Sequence, residues 1–222
     1  MSAPQNKSLR LGSTAPDFTV ETTKGKINFH EFIGDNWVIL FSHPADFTPV
    51  CTTELGLVAA LSEEWKARGV KPIGLSANGL GEHEKWIKDI NDISNVDLDF
   101  PIIADADRQV AALYDMLDYQ DITNVDAKGI PFTVRSVFII DPKKTIRLTL
   151  SYPASTGRNF DEILRVIDSL QLGDKHKITT PGNWKKGDDV IIHPSVSNEQ
   201  AETMFPGYRT VRPYLRLTKS PF

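Results

Sequence analysis

The sequence predicts an α/β fold with a central mixed β-sheet flanked by helices on both faces, followed by a small C-terminal domain. Strand-like and helix-like segments alternate along residues 18–172, which is the pattern of such a sheet. The segment WVILFS (37–42) is an almost continuous apolar run of strand length, as expected for a strand buried on both faces. After Gly173 the chain becomes turn-rich, which indicates a separate segment.

The first elements can be assigned from their patterns. FTVETTKGKINF (18–29) is typical of a β-hairpin with Gly25 at its turn. Residues 48–68 have helical periodicity, and Gly69 follows as a stop signal. The apolar residues expected on one face of this helix are Leu55, Val58, Ala59 and Trp65.

The remaining elements follow the same alternation. Further strands are predicted over VKPIGLSA (70–77), FPIIA (100–104), SVFIID (136–141) and TIRLTLSY (145–152). Further helices are predicted over residues 82–92, 108–117 and 159–172. Asn159 is suited to cap the last of these helices.

The domain organisation follows from the change after Gly173. Residues 1–173 are predicted to form the α/β domain, and residues 174–222 a small C-terminal domain with a short helix over 197–205. The C-terminal segment contains too few apolar residues for a robust core of its own. We therefore expect it to pack on the first domain or at a dimer interface.

Composition excludes several classes of partner. The net charge of −4 argues against a nucleic-acid surface, and the longest apolar runs fall short of the roughly 18 residues of a membrane span. MSAPQNKSLRLG lacks the apolar core of a signal peptide. A single cysteine forms no internal disulfide. These observations favour the reducing cytoplasm and leave a mitochondrial or nuclear location open.

The single cysteine, Cys51, lies in HPADFTPVCTTELG (43–56), between a predicted strand and a predicted helix. Thr48 is a favourable N-cap and Pro49 a favourable first helical residue, which places Cys51 in the first helical turn. Unpaired backbone N–H groups and the helix dipole favour a thiolate there. The Thr48 hydroxyl is expected to accept from a backbone N–H and still to donate to the sulfur or to a substrate oxygen.

From the residues alone, two interpretations of Cys51 stay open. It is either a reactive nucleophile or a small buried apolar residue, which is the commoner role of a lone cysteine. A metal site is not expected, because the five histidines have no ligand spacing with each other or with Cys51. The segment HEKWI (83–87) begins like a zinc-protease helix but lacks the second histidine.

The segment around Cys51 also resembles a known family. HPADFTPVCTTELG matches the Pro-x-x-x-Thr-x-x-Cys signature of the peroxiredoxins with Pro44, Thr48 and Cys51. Together with FPIIAD, SYPASTGRNFDEILRVIDSLQL and TPGNWKKGDDVIIHP, it resembles the one-cysteine peroxiredoxins over nearly the whole chain. The resemblance implies a thioredoxin-like fold and a thiol peroxidase acting in antioxidant defence without a cofactor.

The resemblance also implies roles for individual residues. Cys51 attacks the peroxide and becomes sulfenic acid, Thr48 and Arg135 bind the peroxide, and Pro44 shields the sulfenic acid. Glu54 matches a glutamate that orients the arginine, and His43 matches a histidine near the pocket. Without the resemblance, Arg135 would be interpreted as one partner of a surface ion pair at a strand end. Glu54 would be interpreted as a carboxylate at a helix start that interacts with the helix dipole. His43 would be a strand-end histidine with a satisfied hydrogen bond.

One departure from the family concerns a second activity, the calcium-independent phospholipase of mammalian members. His30 matches the histidine of its Ser-His-Asp set, but Asn36 and Lys143 stand at the serine and aspartate positions. Asp141 lies nearby, but nothing makes it a replacement. Because a triad needs its three groups together, we expect no phospholipase activity by this route.

A lone cysteine has no resolving partner in its own chain, so its reductant has to be external. The candidates are glutathione, glutaredoxin, thioredoxin and ascorbate, and the substrates are hydrogen peroxide and alkyl hydroperoxides. A homodimer, or a higher oligomer, is implied by the family. The alternative to an enzyme is a peroxide sensor or oxidation-triggered chaperone that acts through partner interaction.

Overall fold

The computed structural model describes residues 9–221, and the chain divides into two compact units after Arg158. The last predicted helix therefore groups with the C-terminal unit. The domain division at residues 173 and 174 stays a prediction. The outermost residues of the two predicted domains, 1–8 and 222, lie outside the described residues, as does most of the N-terminal segment discussed above.

The first unit carries the predicted mixed sheet. Its strands are β1 (Thr19–Thr22), β2 (Gly25–Asn28), β3 (Trp37–Ser42), β4 (Val70–Ser76), β5 (Ile102–Ala104), β6 (Arg135–Ile140) and β7 (Ile146–Tyr152). Its helices are α1 (Phe29–Ile33), α2 (Pro49–Ala60), α3 (Ser62–Ala67), α4 (Leu80–Ser94) and α5 (Gln109–Leu113). The strand order is β2-β1-β5-β4-β3-β6-β7, with β4 parallel to β3 and β5, and the other pairs antiparallel. The mixed α/β sheet is thus confirmed.

The register of the central strands determines what lies at the end of β3. In the antiparallel pair of β3 and β6, Phe41 is opposite Val137, so Arg135 lies beyond the last paired residue of β3. In the next antiparallel pair, Arg135 is opposite Tyr152 of β7. The end of β3, the start of β6 and the end of β7 therefore lie side by side at one end of these strands. From the end of β3 the chain continues into the loop before α2, the helix that carries Cys51.

Several predicted helices differ in their bounds, and one of them, predicted over 159–172, extends to His176. The helix predicted over 48–68 is divided at Leu61 into α2 and α3, where the Trp65 indole donates to the Val58 carbonyl over 2.9 Å. This carbonyl would otherwise accept an N–H from the next turn of a continuous helix. The predicted apolar face is buried as expected, and its members are Leu55, Val58, Ala59 and Trp65.

The helix predicted over 108–117 is shorter than expected, because α5 ends at Leu113. Asp115 adopts a left-handed conformation with φ of 54°, which is incompatible with a continuing helix. The chain then leaves the helix, and Leu117 forms a bridge with Thr133. Pairing with a distant segment thus overrides the local helical pattern.

The apolar core of the first unit contains an aromatic cluster. Phe18 stacks on Phe29 with ring centroids 4.6 Å apart, and Tyr114 meets both rings edge-on. The Tyr114 hydroxyl donates to the Pro16 carbonyl over 2.6 Å, which satisfies the polar end of this buried ring. The cluster packs with apolar residues of the central strands.

The second unit begins with the long helix α6 (Phe160–His176), whose N-cap Asn159 accepts from the Glu162 N–H as predicted. Its other elements are β8 (Ile178–Thr179), β9 (Val190–Ile192), α7 (Asn198–Met204), β10 (Arg209–Arg212) and β11 (Leu215–Thr218). The strands form an antiparallel sheet in the order β10-β11-β9-β8. Among residues 9–221, no helix is both long enough and apolar enough to span a bilayer.

Candidate active site

The first turn of α2 places Cys51 at its third helical position, as the sequence predicts. Thr48 is the N-cap, with extended φ and ψ of −114° and 147°, and Pro49 is the first helical residue. Pro49 costs nothing there, because the N–H that it lacks would have no partner within the helix. The side chain of Cys51 is fully buried, so the thiol lies among protein groups rather than in water.

The hydroxyl of Thr48 does not make the predicted capping bond, because it donates to the Ala45 carbonyl over 2.9 Å instead. Phe47 has a left-handed φ of 56°, and the turn that it forms folds the Ala45 carbonyl back under Thr48. The expectation that this hydroxyl accepts from a helix N–H was therefore wrong. Since its proton is engaged, the oxygen is left as an acceptor.

Arg135 contacts the sulfur directly. Its Nη1 lies 3.2 Å from Cys51 Sγ and 2.8 Å from Glu54 Oε2. A positively charged donor at this distance favours the thiolate over the neutral thiol. The interpretation of Arg135 as a surface ion pair is excluded, since the residue is only 3% exposed.

The guanidinium is held in place from its other side. Arg135 Nε and Nη2 both donate to the Ala154 carbonyl, over 2.9 Å and 2.6 Å. Ala154 follows the end of β7, which the register places beside Arg135. Four of its five N–H groups therefore have protein acceptors, and the fifth, on Nη2, has none within residues 9–221.

Glu54 joins two arginines. Besides Arg135, it binds Arg158, whose Nη2 donates to Oε2 over 2.7 Å and whose Nε donates to Oε1 over 3.0 Å. The backbone N–H of Arg158 also donates to Oε1, over 2.7 Å. Burial alone would raise the pKa of Glu54, but the bonds and charge of Arg158, together with the charge of Arg135, hold that pKa below its ordinary value. Glu54 is thus ionised at neutral pH.

The sulfur of Cys51 lies beside a buried network of two guanidinium groups and one carboxylate. Arg135 and Arg158 both pair with Glu54, and Arg135 also contacts the sulfur. A negative charge that is buried needs a charged partner, and the Arg135 guanidinium is placed to be that partner for the sulfur. The arrangement as a whole therefore suits a nucleophilic sulfur.

His43 and Pro44 lie in the loop between β3 and α2 and are both buried. His43 Nε2 donates to Asp46 Oδ1 over 2.9 Å, while its Nδ1 has no partner among the residues described. Burial lowers the pKa of His43, and the hydrogen bond with Asp46 opposes this only in part. The side-chain hydrogen bond of His43 thus stays within its own loop, whereas direct side-chain contacts join Cys51, Glu54 and Arg135.

Sequence reasoning missed Arg158. It is buried, and its Nη1 also donates to the Ser42 and Ser136 carbonyls over 2.8 Å and 3.1 Å. Its guanidinium lies over the Phe41 ring, 5.2 Å from the centroid. The only signal in the sequence is the block STGRNF, and no local pattern distinguishes this arginine from one in an exposed loop.

No group of three or more His, Cys, Asp or Glu side chains within residues 9–221 is arranged to hold a metal ion. The charged groups around Cys51 are two arginines and one glutamate. This set can stabilise a thiolate and negative charge that develops next to it.

Two protein-family models match this chain. The model of the AhpC/TSA family matches residues 11–149, and the model of the C-terminal domain of 1-Cys peroxiredoxin matches residues 169–207. Peroxiredoxin PRX1, mitochondrial, from Saccharomyces cerevisiae is 55% identical over 96% of this chain and 81% of that protein. The 1-Cys peroxiredoxin of Dictyostelium discoideum is 46% identical over 99% of this chain and 88% of that protein.

Two solved structures are similar over nearly their full lengths. A cysteine-to-serine mutant of peroxiredoxin 6 from Arenicola marina has a TM-score of 0.92 at 46% identity, covering 96% of this chain and 99% of that chain. Yeast mitochondrial 1-Cys peroxiredoxin has a TM-score of 0.87 at 54% identity, covering 96% and 100%. That yeast protein is described as resolving its thiol via glutathione/thioredoxin systems.

Proposed function

This chain belongs to the AhpC/TSA family and, within it, to the 1-Cys peroxiredoxins, and on this premise we propose that Cys51 reduces hydrogen peroxide and organic hydroperoxides. The protein is then a thiol peroxidase of antioxidant defence. The observation that supports this role most directly is the 3.2 Å contact between Arg135 Nη1 and Cys51 Sγ inside a buried network with Glu54 and Arg158. The sensor or chaperone alternative has no comparable observation in its favour.

The reaction is a two-electron oxidation of the sulfur. The Cys51 thiolate attacks the terminal oxygen of the hydroperoxide, so that an S–O bond forms while the O–O bond breaks. The sulfur becomes sulfenic acid, and the peroxide is reduced. The departing hydroxide or alkoxide takes up a proton and leaves as water or an alcohol.

Thr48 and Arg135 bind the peroxide in this proposal. The Thr48 oxygen accepts the peroxide O–H, because its own proton is engaged by the Ala45 carbonyl. The free N–H on Arg135 Nη2 donates to a peroxide oxygen, and the charge of the guanidinium stabilises the negative charge that spreads along the breaking bond. Pro44 shields the sulfenic acid.

Glu54 and Arg158 act on the reaction through Arg135. Glu54 fixes the position of Nη1, and Arg158 fixes Glu54 through three hydrogen bonds. Such fixed charges cost no reorganisation when the O–O bond breaks. His43 acts as a buried neutral neighbour within the preceding loop.

Regeneration requires an external reductant, because the chain contains only one cysteine. We place glutathione and thioredoxin systems first, since the similar yeast protein is described with both. Glutaredoxin and ascorbate are the other candidates. Reduction removes the sulfenic oxygen as water and restores the thiol through two electrons from the reductant. Slow reduction would allow oxidation to sulfinic acid.

The assembly and location are further parts of the proposal. We place the small C-terminal domain, residues 174–222, at a homodimer interface, and light scattering of the full chain tests the dimer. We place the protein in the cytoplasm. The yeast relative is named as mitochondrial, so cell fractionation decides between two reducing compartments.

The phospholipase reaction is excluded from the proposed function. His30 Nε2 donates to the Ala15 carbonyl over 2.8 Å, while Asn36 and Lys143 offer neither a hydroxyl nor a carboxylate. Incubation with phosphatidylcholine vesicles should release no fatty acid. Release that disappears in His30→Ala would contradict this part of the proposal.

Stopped-flow oxidation of the reduced protein tests the peroxidase function. Trp86 is a suitable fluorescent reporter, because its indole donates to Thr52, the residue after Cys51, over 3.1 Å. A fast fluorescence phase whose rate is proportional to hydrogen peroxide is expected for the wild type and should be absent from Cys51→Ser. Repeated turnover with glutathione or thioredoxin then distinguishes an enzyme from a sensor. A rate no greater than that of a free thiol would refute the proposal.

A further inference from the structure

A buried carboxylate outside the cluster around Cys51 connects the loop before α2 to two other elements. Asp46 Oδ1 accepts from His43 Nε2 over 2.9 Å and from Ser76 Oγ at the end of β4 over 3.1 Å. Asp46 Oδ2 accepts from His83 Nδ1 of α4 over 2.5 Å. Burial would raise the pKa of Asp46, but the hydrogen bonds from His43 and His83 lower that pKa to about 2.

The ring of His83 lies between two oxygen atoms. Its Nδ1 faces the ionised carboxylate of Asp46, and its Nε2 faces the Ile103 carbonyl at 3.2 Å. The ionised carboxylate has no proton to give, so Nδ1 is the donor in its bond with Asp46. The ring is fully buried, and this bond joins α4 to the loop before α2.

His43 differs from His83 in its ring partners. Only Nε2 of the His43 ring has a partner, and its Nδ1 is unpaired within the described part of the chain. Asp46 thus accepts from both histidine rings, from His43 on Oδ1 and from His83 on Oδ2. These bonds satisfy a carboxylate that is costly to bury without partners.

The same face of α4 also holds the first turn of α2. Trp86 lies three residues after His83, on the same face of the helix. Its indole donates to Thr52, and the Thr52 hydroxyl donates to the Thr48 carbonyl over 2.8 Å. Helix α4 therefore fixes the loop through His83 and the start of α2 through Trp86.

We propose that His83 is a positioning residue of the peroxidase reaction, whose Nδ1–H holds Asp46 and thereby places Pro44 and Thr48 relative to Cys51. Asp46 lies two residues from either of them, and its own N–H is bound by Asn78 Oδ1 over 3.0 Å. The loop is thus fixed at Asp46 from both its backbone and its side chain. The inference rests on the proposed peroxidase function.

The expected effect follows from the sensitivity of the reaction to geometry. A displacement of about 1 Å in a group that binds the substrate can reduce a rate by about 10²-fold. Without the bond from His83, the carboxylate of Asp46 loses its link to α4, and the loop is free to shift. Cys51 and Arg135 have no contact with His83, so their mutual arrangement should persist.

Two substitutions at His83 separate its two hydrogen bonds. Asparagine places an amide N–H near the position of Nδ1 and keeps the bond to Asp46, whereas glutamine reaches the position of Nε2 and keeps the bond to Ile103. We expect His83→Gln to lower the second-order rate constant for oxidation by hydrogen peroxide by about tenfold or more, and His83→Asn to lower it by less than about threefold. Glu84→Gln, an exposed neighbour on α4, is the matched control.

The outcomes distinguish this inference from a structural role and from the function itself. Equal rate constants in the two His83 variants, with only their melting temperatures lowered, would overturn the inference. A slow wild type would instead refute the proposed peroxidase.

If His83→Gln does not fold, ¹⁵N NMR of the wild-type histidine rings provides a second test. The resonance that is missing from His83→Asn should show a proton on Nδ1 at pH 7. A ring with no proton on Nδ1 would overturn the inference.

Discussion

Arg135 Nη1 lies 3.2 Å from Cys51 Sγ, although 84 residues separate the two in the chain. The contact exists because β6 runs antiparallel to β3, which brings the start of β6 to the end of β3, just before the helix of Cys51. The same guanidinium is held by Glu54 and by the Ala154 carbonyl. A fixed positive charge therefore lies next to the sulfur before any peroxide arrives.

Replacement of Arg135 by lysine should preserve the positive charge and lose the planar arrangement of N–H donors. A lysine ammonium is a point charge that cannot bridge Cys51, Glu54 and Ala154 at once. We expect Arg135→Lys to lower the rate constant for oxidation by hydrogen peroxide by about 10²–10³-fold in stopped-flow measurements. Arg212→Lys, at an exposed position of β10, is the control. Similar rates for the two variants would show that charge alone is sufficient.

Neutralisation of Glu54 should destabilise the fold. Glu54→Gln leaves two buried arginines without their carboxylate, and breaking a buried ion pair costs about 3–5 kcal/mol. The midpoint of urea unfolding should fall accordingly. Glu63→Gln, which removes a carboxylate from an exposed pair with Lys66, should leave the midpoint unchanged. A comparable midpoint for both variants would argue against a buried charge cluster.

Stability should fall on acidification in two steps. The pKa of His43 is lowered by burial, so the unfolded chain binds a proton near pH 6.5 that the folded chain excludes, and stability decreases below that pH. The pKa of Asp46 is about 2 in the fold, so its contribution of about 2 kcal/mol is present above about pH 4 and is lost between pH 4 and 2. The lowered pKa of Glu54 acts in the same direction.

Urea unfolding between pH 7 and pH 2 measures both steps. Asp46→Asn should be less stable at neutral pH, and its stability should depend less on pH below pH 4, because the lost group no longer titrates. Asp92→Asn, an exposed carboxylate on α4, should follow the wild-type curve. If the stability of Asp46→Asn fell as steeply below pH 4 as that of the wild type, the low pKa of Asp46 would be contradicted.

The contact between α2 and α4 leaves no room for a side chain at Gly56. A Cβ atom there would lie 2.1 Å from Ser94 Oγ and 2.8 Å from Ser94 Cβ. Gly56→Ala should therefore lower the free energy of unfolding by about 1–3 kcal/mol, as overpacking does. Gly81→Ala, on α4 with open space around it, should be neutral or slightly stabilising.

Removal of Ser94 tests the cause of that effect. The double variant with Gly56→Ala and Ser94→Gly should recover part of the loss, because the clashing atoms are gone. Thermal unfolding of the three proteins measures this coupling. If the double variant were no more stable than Gly56→Ala, the clash with Ser94 would not be the cause of the lost stability.

Local features of the site could be predicted from the sequence, because they depend on neighbouring residues. Thr48, Pro49 and Cys51 define a helix start by residue type and spacing alone, and the structure has the helix there. The apolar run 37–42 predicted a buried strand, and β3 is that strand. The left-handed turn at Phe47, which redirects the Thr48 hydroxyl, has no comparable signal.

Distant partners could not be predicted in this way. Arg135 was identified only by resemblance to a family, and Arg158 was missed, although both bind Glu54. His83 was considered only as part of an incomplete zinc motif, whereas the structure pairs it with Asp46, 37 residues earlier. In each case the partner is brought close by strand pairing or helix packing rather than by its place in the chain.

The sequence by itself therefore determined the α/β class, the helix start at Cys51 and the turn-rich C-terminal segment, because each follows from periodicity or residue type over a short range. Tertiary structure alone decided the order of the strands, the charged groups around the sulfur and the hydrogen-bond partners of His83. These depend on which side chains are buried together, and a hydrogen bond or an ion pair acts only over a few ångströms, whatever the separation along the chain.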